Sequence, residues 1–141
     1  MDRDKLKAQL LIDEGYKGAA YTDSLGILTI GIGRMIDSKR GGGISKDEAL
    51  YLLSNDIDSV NAKLNEALPW FKSLDDARQN VLLNMGFNLG VPGLLKFQKT
   101  LDCVRHGDYK KAAAEMLNST WADQVGDRAK RLAKTMETGV L

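Results

Sequence analysis

The feature that most constrains the fold is a long stretch of helical periodicity in the middle of the chain, over residues 45–68. Ser45 and Glu48 open this stretch as a capping box, and Pro69 ends it because proline lacks the N–H that a helix interior needs. Apolar residues recur three or four positions apart along it: Leu53, Ile57, Val60, Leu64 and Leu68. A helix of this length, about 36 Å, can bridge two small lobes. At 141 residues, the chain fits either one ordinary domain or two small lobes that share this helix.

The residues before this helix change from helical to extended periodicity. A leucine stripe predicts a helix over residues 3–14, with Glu14 at its end and Gly15 as its terminator. A turn at residues 23–26 and the β-branched, glycine-punctuated run at residues 27–33 are typical of a twisted hairpin. Residues 37–43, which include three consecutive glycines, predict a connection without regular structure.

The C-terminal half is predicted to be helical throughout, with a break at residues 90–93. The predicted helices are residues 74–88, a run that ends near His106, residues 109–117 capped by Asp108, a short piece around Trp121, and residues 127–136. Because the strands are confined to the N-terminal end, the predicted fold class is α+β and mostly helical.

Charge and composition exclude several classes of function. The formal net charge of +1 is too small to indicate nucleic-acid binding, which usually shows as a strong basic excess on one face. Cys103 is the single cysteine, so no internal disulfide forms, and we interpret it as a buried spectator thiol. A nucleophilic pair with His106, three residues later on the same predicted helix, is disfavoured. No segment is apolar enough to cross a bilayer or resembles a signal peptide, so we expect a soluble chain made in the cytoplasm.

Two carboxyl groups are spaced for hydrolysis of a glycosidic bond. This reaction needs one carboxylic acid to protonate the leaving oxygen and one carboxylate to direct water or stabilise positive charge. Glu14 at a helix end and Asp23 in a hairpin turn are separated by eight residues and could share a cleft. Thr29, on the returning strand, could hold the water that an inverting mechanism requires. The chain has 19 acidic residues, so spacing alone does not single out this pair.

The order of Glu14, Asp23 and Thr29, within residues 12–15 (Ile-Asp-Glu-Gly) and residues 28–33 (Leu-Thr-Ile-Gly-Ile-Gly), resembles the phage lysozyme family, glycoside hydrolase family 24. Within that family the chain is most similar to the T-even phage lysozymes. Three further segments match in the same order: residues 45–49 (Ser-Lys-Asp-Glu-Ala), 84–88 (Asn-Met-Gly-Phe-Asn) and 127–131 (Asp-Arg-Ala-Lys-Arg). The resemblance therefore covers nearly the whole chain.

The resemblance implies a single lysozyme-like domain over residues 1–141, with peptidoglycan bound in a cleft between two lobes. Its N-terminal β-hairpin lobe would comprise residues 14–48, its connecting helix residues 45–68, and its helical lobe residues 69–141 together with 1–13. The implied reaction is hydrolysis of the β-1,4 linkage between N-acetylmuramic acid and N-acetylglucosamine, with inversion at the anomeric carbon. It needs no cofactor and no metal ion.

The resemblance also implies a role for individual side chains. Glu14 would be the general acid, Asp23 would position water or support the oxocarbenium-like transition state, and Thr29 would help to hold the water. Arg128 would tether Glu14 from across the cleft. The substrate-binding positions that carry over are Met35, Phe87, Asn88, Thr100 and Glu115, of which Glu115 stands where the family often has an amide.

Two positions depart from the T-even pattern. Arg34 stands where those lysozymes carry a histidine that pairs with an aspartate on the long helix, and Asp56 occupies the matching aspartate position. We therefore expect Arg34 to pair with Asp56 in a link that does not weaken near neutral pH, because arginine stays charged there. The loop over residues 36–43 is shorter than in the T-even relatives, which changes the shape expected of the N-terminal lobe.

Two alternatives remain open beside the hydrolase. A lytic transglycosylase would cleave the same glycan without water, although it typically needs only one acid, and a catalytically silent glycan-binding protein could keep the fold. For the hydrolase, the resemblance implies a monomeric endolysin that inserts into no membrane. It would wait in the host cytoplasm until a holin opens the membrane, cause lysis, and act on the wall in the periplasm. A prophage remnant or a tail-associated domain is equally compatible with the sequence.

Overall fold

The computed structural model of the chain describes all residues, 1–141, and divides into two compact units. We call Met1–Tyr51 the N-terminal unit and Leu52–Leu141 the C-terminal unit. The first helix lies in the N-terminal unit, whereas the sequence grouped residues 1–13 with the helical lobe; that grouping stays a prediction. None of the helices combines the length and the apolar character needed to cross a membrane.

The first helix, α1 (Arg3–Glu14), has the predicted bounds. It begins at Asp2, whose carboxylate accepts a hydrogen bond from the Lys5 amide, as is typical of an N-cap. It ends at Gly15, which has a φ of 72° and donates its N–H to the Leu11 carbonyl. This glycine turns the chain sharply, so that Glu14 is the last helical residue and a strand follows within three residues.

A three-stranded antiparallel sheet follows, in the order β1 (Lys17–Thr22), β2 (Leu28–Gly31) and β3 (Arg34–Met35). The predicted hairpin is confirmed as β1 and β2. The returning run was predicted to continue through residue 33, but a glycine turn ends β2 early and adds the short strand β3. Thr29 in β2 pairs with Tyr21 in β1 and with Met35 in β3, so it lies at the centre of the sheet.

The connection over residues 37–43 contains one turn of 3-10 helix, Ser38–Arg40, where the sequence predicted no regular structure. The Asp37 carboxylate caps this turn by accepting from the Lys39 amide. The long helix α2 (Lys46–Ala67) then begins at the predicted capping box. Glu48 donates its backbone N–H to the Ser45 hydroxyl, and the Ser45 amide donates to the Glu48 carboxylate.

The C-terminal unit is helical after α2, as predicted. Its helices are α3 (Asp76–Leu89), α4 (Val91–Leu95), α5 (Gln98–Arg105), α6 (Tyr109–Leu117), α7 (Thr120–Val125) and α8 (Asp127–Thr138). The break predicted at residues 90–93 is confined to Gly90, because Pro92 is tolerated in the first turn of a helix and α4 starts around it. With the sheet confined to the N-terminal unit, the predicted α+β class is confirmed.

The apolar core lies in the C-terminal unit. Its largest fully buried side chains are Phe71, Leu64, Leu82, Met85, Leu94, Met116, Met136, Val81 and Val104. Cys103 packs against this core but is only partly buried, whereas the sequence predicted a buried thiol; its role as a spectator stays a prediction. In the N-terminal unit, by contrast, the one residue less than a tenth exposed is the polar Thr29.

Arg78 connects α3 to the C-terminal end of α8. Its guanidinium donates to the carbonyls of Met136 and Glu137, pairs with the Asp75 carboxylate at 2.8 Å, and lies 3.5 Å from the centre of the Tyr109 ring. Partial burial raises the pKa of Asp75, but its hydrogen bonds from Arg78 and the charge of Arg78 outweigh this and lower that pKa overall. The side chain of Arg78 is only 13% exposed, whereas that of Asp75 is 43% exposed, so the contacts are shielded from water mainly on the arginine side.

Candidate active site

Glu14 lies at the C-terminal end of α1 and is exposed. A helix C-terminus carries partial negative charge, so this position is not one that the helix itself favours for a carboxylate. No hydrogen bond within the N-terminal unit reaches its carboxyl oxygens. The carboxyl group instead lies against Gly33, where an added Cβ would come within 2.8 Å of Oε2.

Asp23 is held by the turn between β1 and β2. Its Oδ1 accepts hydrogen bonds from the amides of Leu25 at 2.8 Å and Ile27 at 2.9 Å, in an Asx-type turn. Its backbone closes the same turn, because Gly26 donates to the Asp23 carbonyl and Asp23 donates to the Ile27 carbonyl. The second carboxyl oxygen, Oδ2, has no partner in this turn and is free to contact a water or a sugar.

Thr29 is 4% exposed, and its hydroxyl donates to the Ile27 carbonyl at 2.9 Å. With the proton engaged in that bond, the lone pairs of Oγ1 remain as acceptors for another donor. Ile27 therefore serves both side chains: its N–H binds Asp23 and its carbonyl binds Thr29. The structure thus brings Asp23 and Thr29 together, and Met35 joins them as the cross-strand neighbour of Thr29.

Arg34 forms an ion pair with Glu48, with Nη1 2.8 Å from Oε2, and also donates to the Gly43 carbonyl. The capping box turns the Glu48 carboxylate back towards the start of α2, next to the loop that Arg34 contacts. Asp56 belongs to the C-terminal unit, and its expected pair with Arg34 stays a prediction. The hydrogen bond from Arg34, followed by those from Ser45, lowers the pKa of Glu48.

Two of the predicted sugar-binding residues share a hollow in the C-terminal unit. Thr100, which is buried, and Glu115 line a space of about 790 Å³ together with Trp121. The Trp121 indole donates to the Asn88 side-chain oxygen at 2.8 Å, and its ring meets Phe97 edge to face. Asn88 therefore affects this hollow indirectly, because its hydrogen bond orients Trp121, which lines the hollow.

Phe87 and Arg128 lie at a different hollow of the C-terminal unit, with a volume of about 390 Å³. Phe87 is 47% exposed, which is unusual for so large an apolar side chain. Arg128 donates from Nε and Nη2 to the Asn84 side-chain oxygen at 2.9 and 2.8 Å. Nη1 donates no hydrogen bond within the C-terminal unit. Glu14 belongs to the N-terminal unit, and its tether to Arg128 stays a prediction.

A comparison with known protein families matches most of this chain. Residues 12–137 match the model of a family described as phage lysozyme. The chain belongs to the phage lysozyme family. This span includes the whole N-terminal sheet and nearly all of the C-terminal helices.

Relatives of this lysozyme-family chain occur in a eukaryote and in a phage. Probable T4-type lysozymes 1 and 2 of Dictyostelium discoideum are 33% and 32% identical to it, each over 96% of this chain and 95% of the relative. The pre-baseplate central spike protein Gp5 of Enterobacteria phage T4 is 29% identical over 92% of this chain, but over only 27% of its own length. The first alignment spans 163 residues, more than the 141 of this chain, so that relative carries insertions.

Family membership supports muramidase-type hydrolysis of peptidoglycan by a glycoside hydrolase, as the sequence predicted. Sequence reasoning nevertheless missed several residues that contact the predicted site residues within each unit: Ile27, Gly33, Asn84 and Trp121. Asn84 lies in one of the segments that matched the family, and Gly33 belongs to a glycine-x-glycine turn, so both had a visible signal. Ile27 contributes only backbone atoms, which residue type alone does not reveal.

Proposed function

We propose that this chain is an inverting N-acetylmuramidase that cleaves the β-1,4 linkage between N-acetylmuramic acid and N-acetylglucosamine. The observation that carries the proposal is the shared anchoring of Asp23 and Thr29 on Ile27. It leaves Oδ2 of Asp23 and the lone pairs of the Thr29 hydroxyl as acceptors on side chains that are fixed to the same residue. Two acceptors fixed in this way suit a water molecule that must be held and then deprotonated.

Each side chain then has one task in the reaction. Glu14 donates its proton to the leaving glycosidic oxygen as the bond from that oxygen to the anomeric carbon breaks. The water held by Asp23 and Thr29 attacks the anomeric carbon from the opposite face and passes its proton to Asp23. Fresh water returns a proton to Glu14 and takes one from Asp23. An inverting route of this type requires the two carboxyl groups to be about 6.5–9.5 Å apart.

The substrate contacts are proposed on the hollow that Thr100 and Glu115 line. Its mixture of an aromatic face, a buried hydroxyl and a carboxylate is suited to a sugar, which stacks on aromatic rings and exchanges hydrogen bonds. Met35, beside Thr29, and the exposed Phe87 would add apolar surface. Asn88 would contribute through Trp121, whose indole it fixes.

The reaction is tested on soluble peptidoglycan fragments by proton NMR and mass spectrometry. Inversion predicts that the α-anomer of the new reducing end appears first, and Glu14→Gln and Asp23→Asn variants should lose about 10²- to 10⁴-fold in kcat. First appearance of the β-anomer would overturn inversion. Anhydro ends would indicate a lytic transglycosylase, and binding without cleavage would indicate a silent glycan-binding protein.

We further propose a monomeric endolysin that remains in the host cytoplasm until a holin permeabilises the membrane. Expression in a bacterium without a holin should then leave the culture intact, and induction of a holin should cause lysis only when Glu14 is present. The similarity to part of the phage T4 spike protein Gp5 makes a tail-associated role the second candidate. Lysis on simple expression, without a holin, would contradict the endolysin proposal.

A further inference from the structure

The turn between β2 and β3 contains two glycines with almost the same backbone geometry. Gly31 has a φ of 69° and Gly33 a φ of 66°, both in the left-handed region that glycine adopts far more easily than other residues. A side chain at either position would therefore strain the backbone to a similar degree. The backbone alone accounts for a glycine at both positions and does not distinguish between them.

The two glycines differ in what a side chain would meet. A Cβ added to Gly31 would have no atom within 4 Å. A Cβ added to Gly33 would lie 2.8 Å from Oε2, 3.1 Å from Cδ and 3.3 Å from Cγ of Glu14. The Glu14 carboxyl group thus occupies the space that a side chain at position 33 would fill. Because this carboxyl is the far end of a flexible side chain, a side chain at position 33 would displace it rather than distort the turn.

We propose that Gly33 is a positioning residue for Glu14, an inference that rests on the proposed role of Glu14 as the general acid. Glu14 has no hydrogen bond within its unit that would fix its carboxyl group. Because Gly33 has no side chain, the Glu14 carboxyl group packs directly against its backbone. Gly33 lies in the turn that follows β2, the strand that carries Thr29, so the carboxyl group rests on the same hairpin framework as the other two proposed site residues. Displacement of a reacting group by even 1 Å is costly for catalysis.

A matched pair of variants, Gly33→Ala and Gly31→Ala, separates positioning from backbone strain. Both should lower the thermal unfolding midpoint by similar amounts. On soluble peptidoglycan fragments, Gly33→Ala should lose about 10- to 100-fold in kcat with KM within about twofold of the parent. Gly31→Ala should keep its kcat within about twofold. Equal kcat losses in the two variants, or a loss confined to KM, would overturn the proposal.

A second pair, Gly33→Asn and Gly31→Asn, covers the case in which the alanine variants do not fold, because asparagine tolerates the left-handed conformation better. In these variants the carboxyl ¹³C NMR signal of Glu14 should move with the substitution at position 33 and stay in place with that at position 31. A signal that is unmoved at position 33 would overturn the proposal whatever the activity. Glu14→Gln in the parent tests the proposed function separately. If that variant still cleaves peptidoglycan, Glu14 is not the general acid. The NMR comparison still shows in that case whether Gly33 contacts the Glu14 carboxyl group.

Discussion

Asp23 and Thr29 are connected through the backbone of a single residue, Ile27. Its N–H donates to the Asp23 carboxylate and its carbonyl accepts from the Thr29 hydroxyl, each over 2.9 Å. The two side chains are therefore fixed to one peptide segment and keep their separation when the turn moves. Such preorganisation is what a water-directing pair needs, because little rearrangement is left for the moment of reaction.

Thr29→Val tests the hydroxyl, since valine keeps the branched shape and the strand preference of threonine. We expect kcat to fall about 10- to 100-fold because the water loses one of its two acceptors. The free energy of unfolding should fall by about 1 kcal/mol, as the Ile27 carbonyl loses one of its two donors and keeps the Asp23 amide. Hydrolysis of soluble fragments and thermal unfolding measure the two effects. Thr29→Ser, which keeps the hydroxyl, is the control, and a valine variant as active as the serine variant would remove Thr29 from the mechanism.

The Arg34–Glu48 pair predicts how stability depends on pH. The pKa of Glu48 in the folded chain lies below its ordinary value of 4.5, first because Arg34 donates to it. The pair therefore stabilises the fold fully above that ordinary value, and its contribution is lost as the pH falls through the lowered pKa. Arg34 stays charged, so the contribution should be constant between about pH 6 and 8.

Glu48→Gln is the variant for this measurement, because glutamine can still complete the capping box with Ser45. Urea unfolding of the parent and the variant across pH should give a difference that is flat near neutrality and vanishes in acid. A midpoint of that difference between about pH 6 and 8 would contradict the assignment to this pair.

Arg78→Ala should be the most destabilising of the surface-charge substitutions in the C-terminal unit. It removes two hydrogen bonds to the end of α8, the pair with Asp75 and the contact with the Tyr109 ring, all at a side chain that is 13% exposed. We expect a loss of about 2–3 kcal/mol in the free energy of unfolding, measured in urea.

The control for Arg78 is Lys130→Ala, which breaks an ion pair with Asp127 between side chains that are 75% and 82% exposed. Exposed pairs of this kind contribute little, so this variant should change stability by less than about 0.5 kcal/mol. Similar losses of unfolding free energy in the two variants would show that burial of the Arg78 side chain does not increase the contribution of its contacts to stability.

Arg128→Ala tests the predicted tether to Glu14 alongside the observed contact with Asn84. Loss of the Asn84 contact alone should cost about 1 kcal/mol of stability, and Asn84→Ala should reproduce that cost. If Arg128 also holds Glu14, Arg128→Ala should in addition lower kcat well below that of Asn84→Ala. Full stability and full activity of Arg128→Ala would argue against both contacts.

The individual helix caps and turns could be predicted from the sequence because each depends on residues that are close together in the chain. The Ser45–Glu48 capping box, the terminating Gly15 and the turn at Asp23 each depend on atoms within four residues of one another. The spacing of Glu14, Asp23 and Thr29 was likewise visible, although only the resemblance to a family gave it a chemical meaning. Helix bounds accordingly agreed with prediction to within a residue for α1 and α2.

Most helices, the β1–β2 hairpin and the residues that cap them follow from local sequence patterns, whereas β3 and the 3-10 turn do not. The contact of Glu14 with Gly33, the pair of Arg34 with Glu48 and the hydrogen bond of Trp121 to Asn88 depend on how the chain folds back on itself. Trp121 and Asn88 are 33 residues apart, and no local preference encodes a contact over that separation. Side chains find these partners only after burial of the apolar faces has fixed how the elements pack.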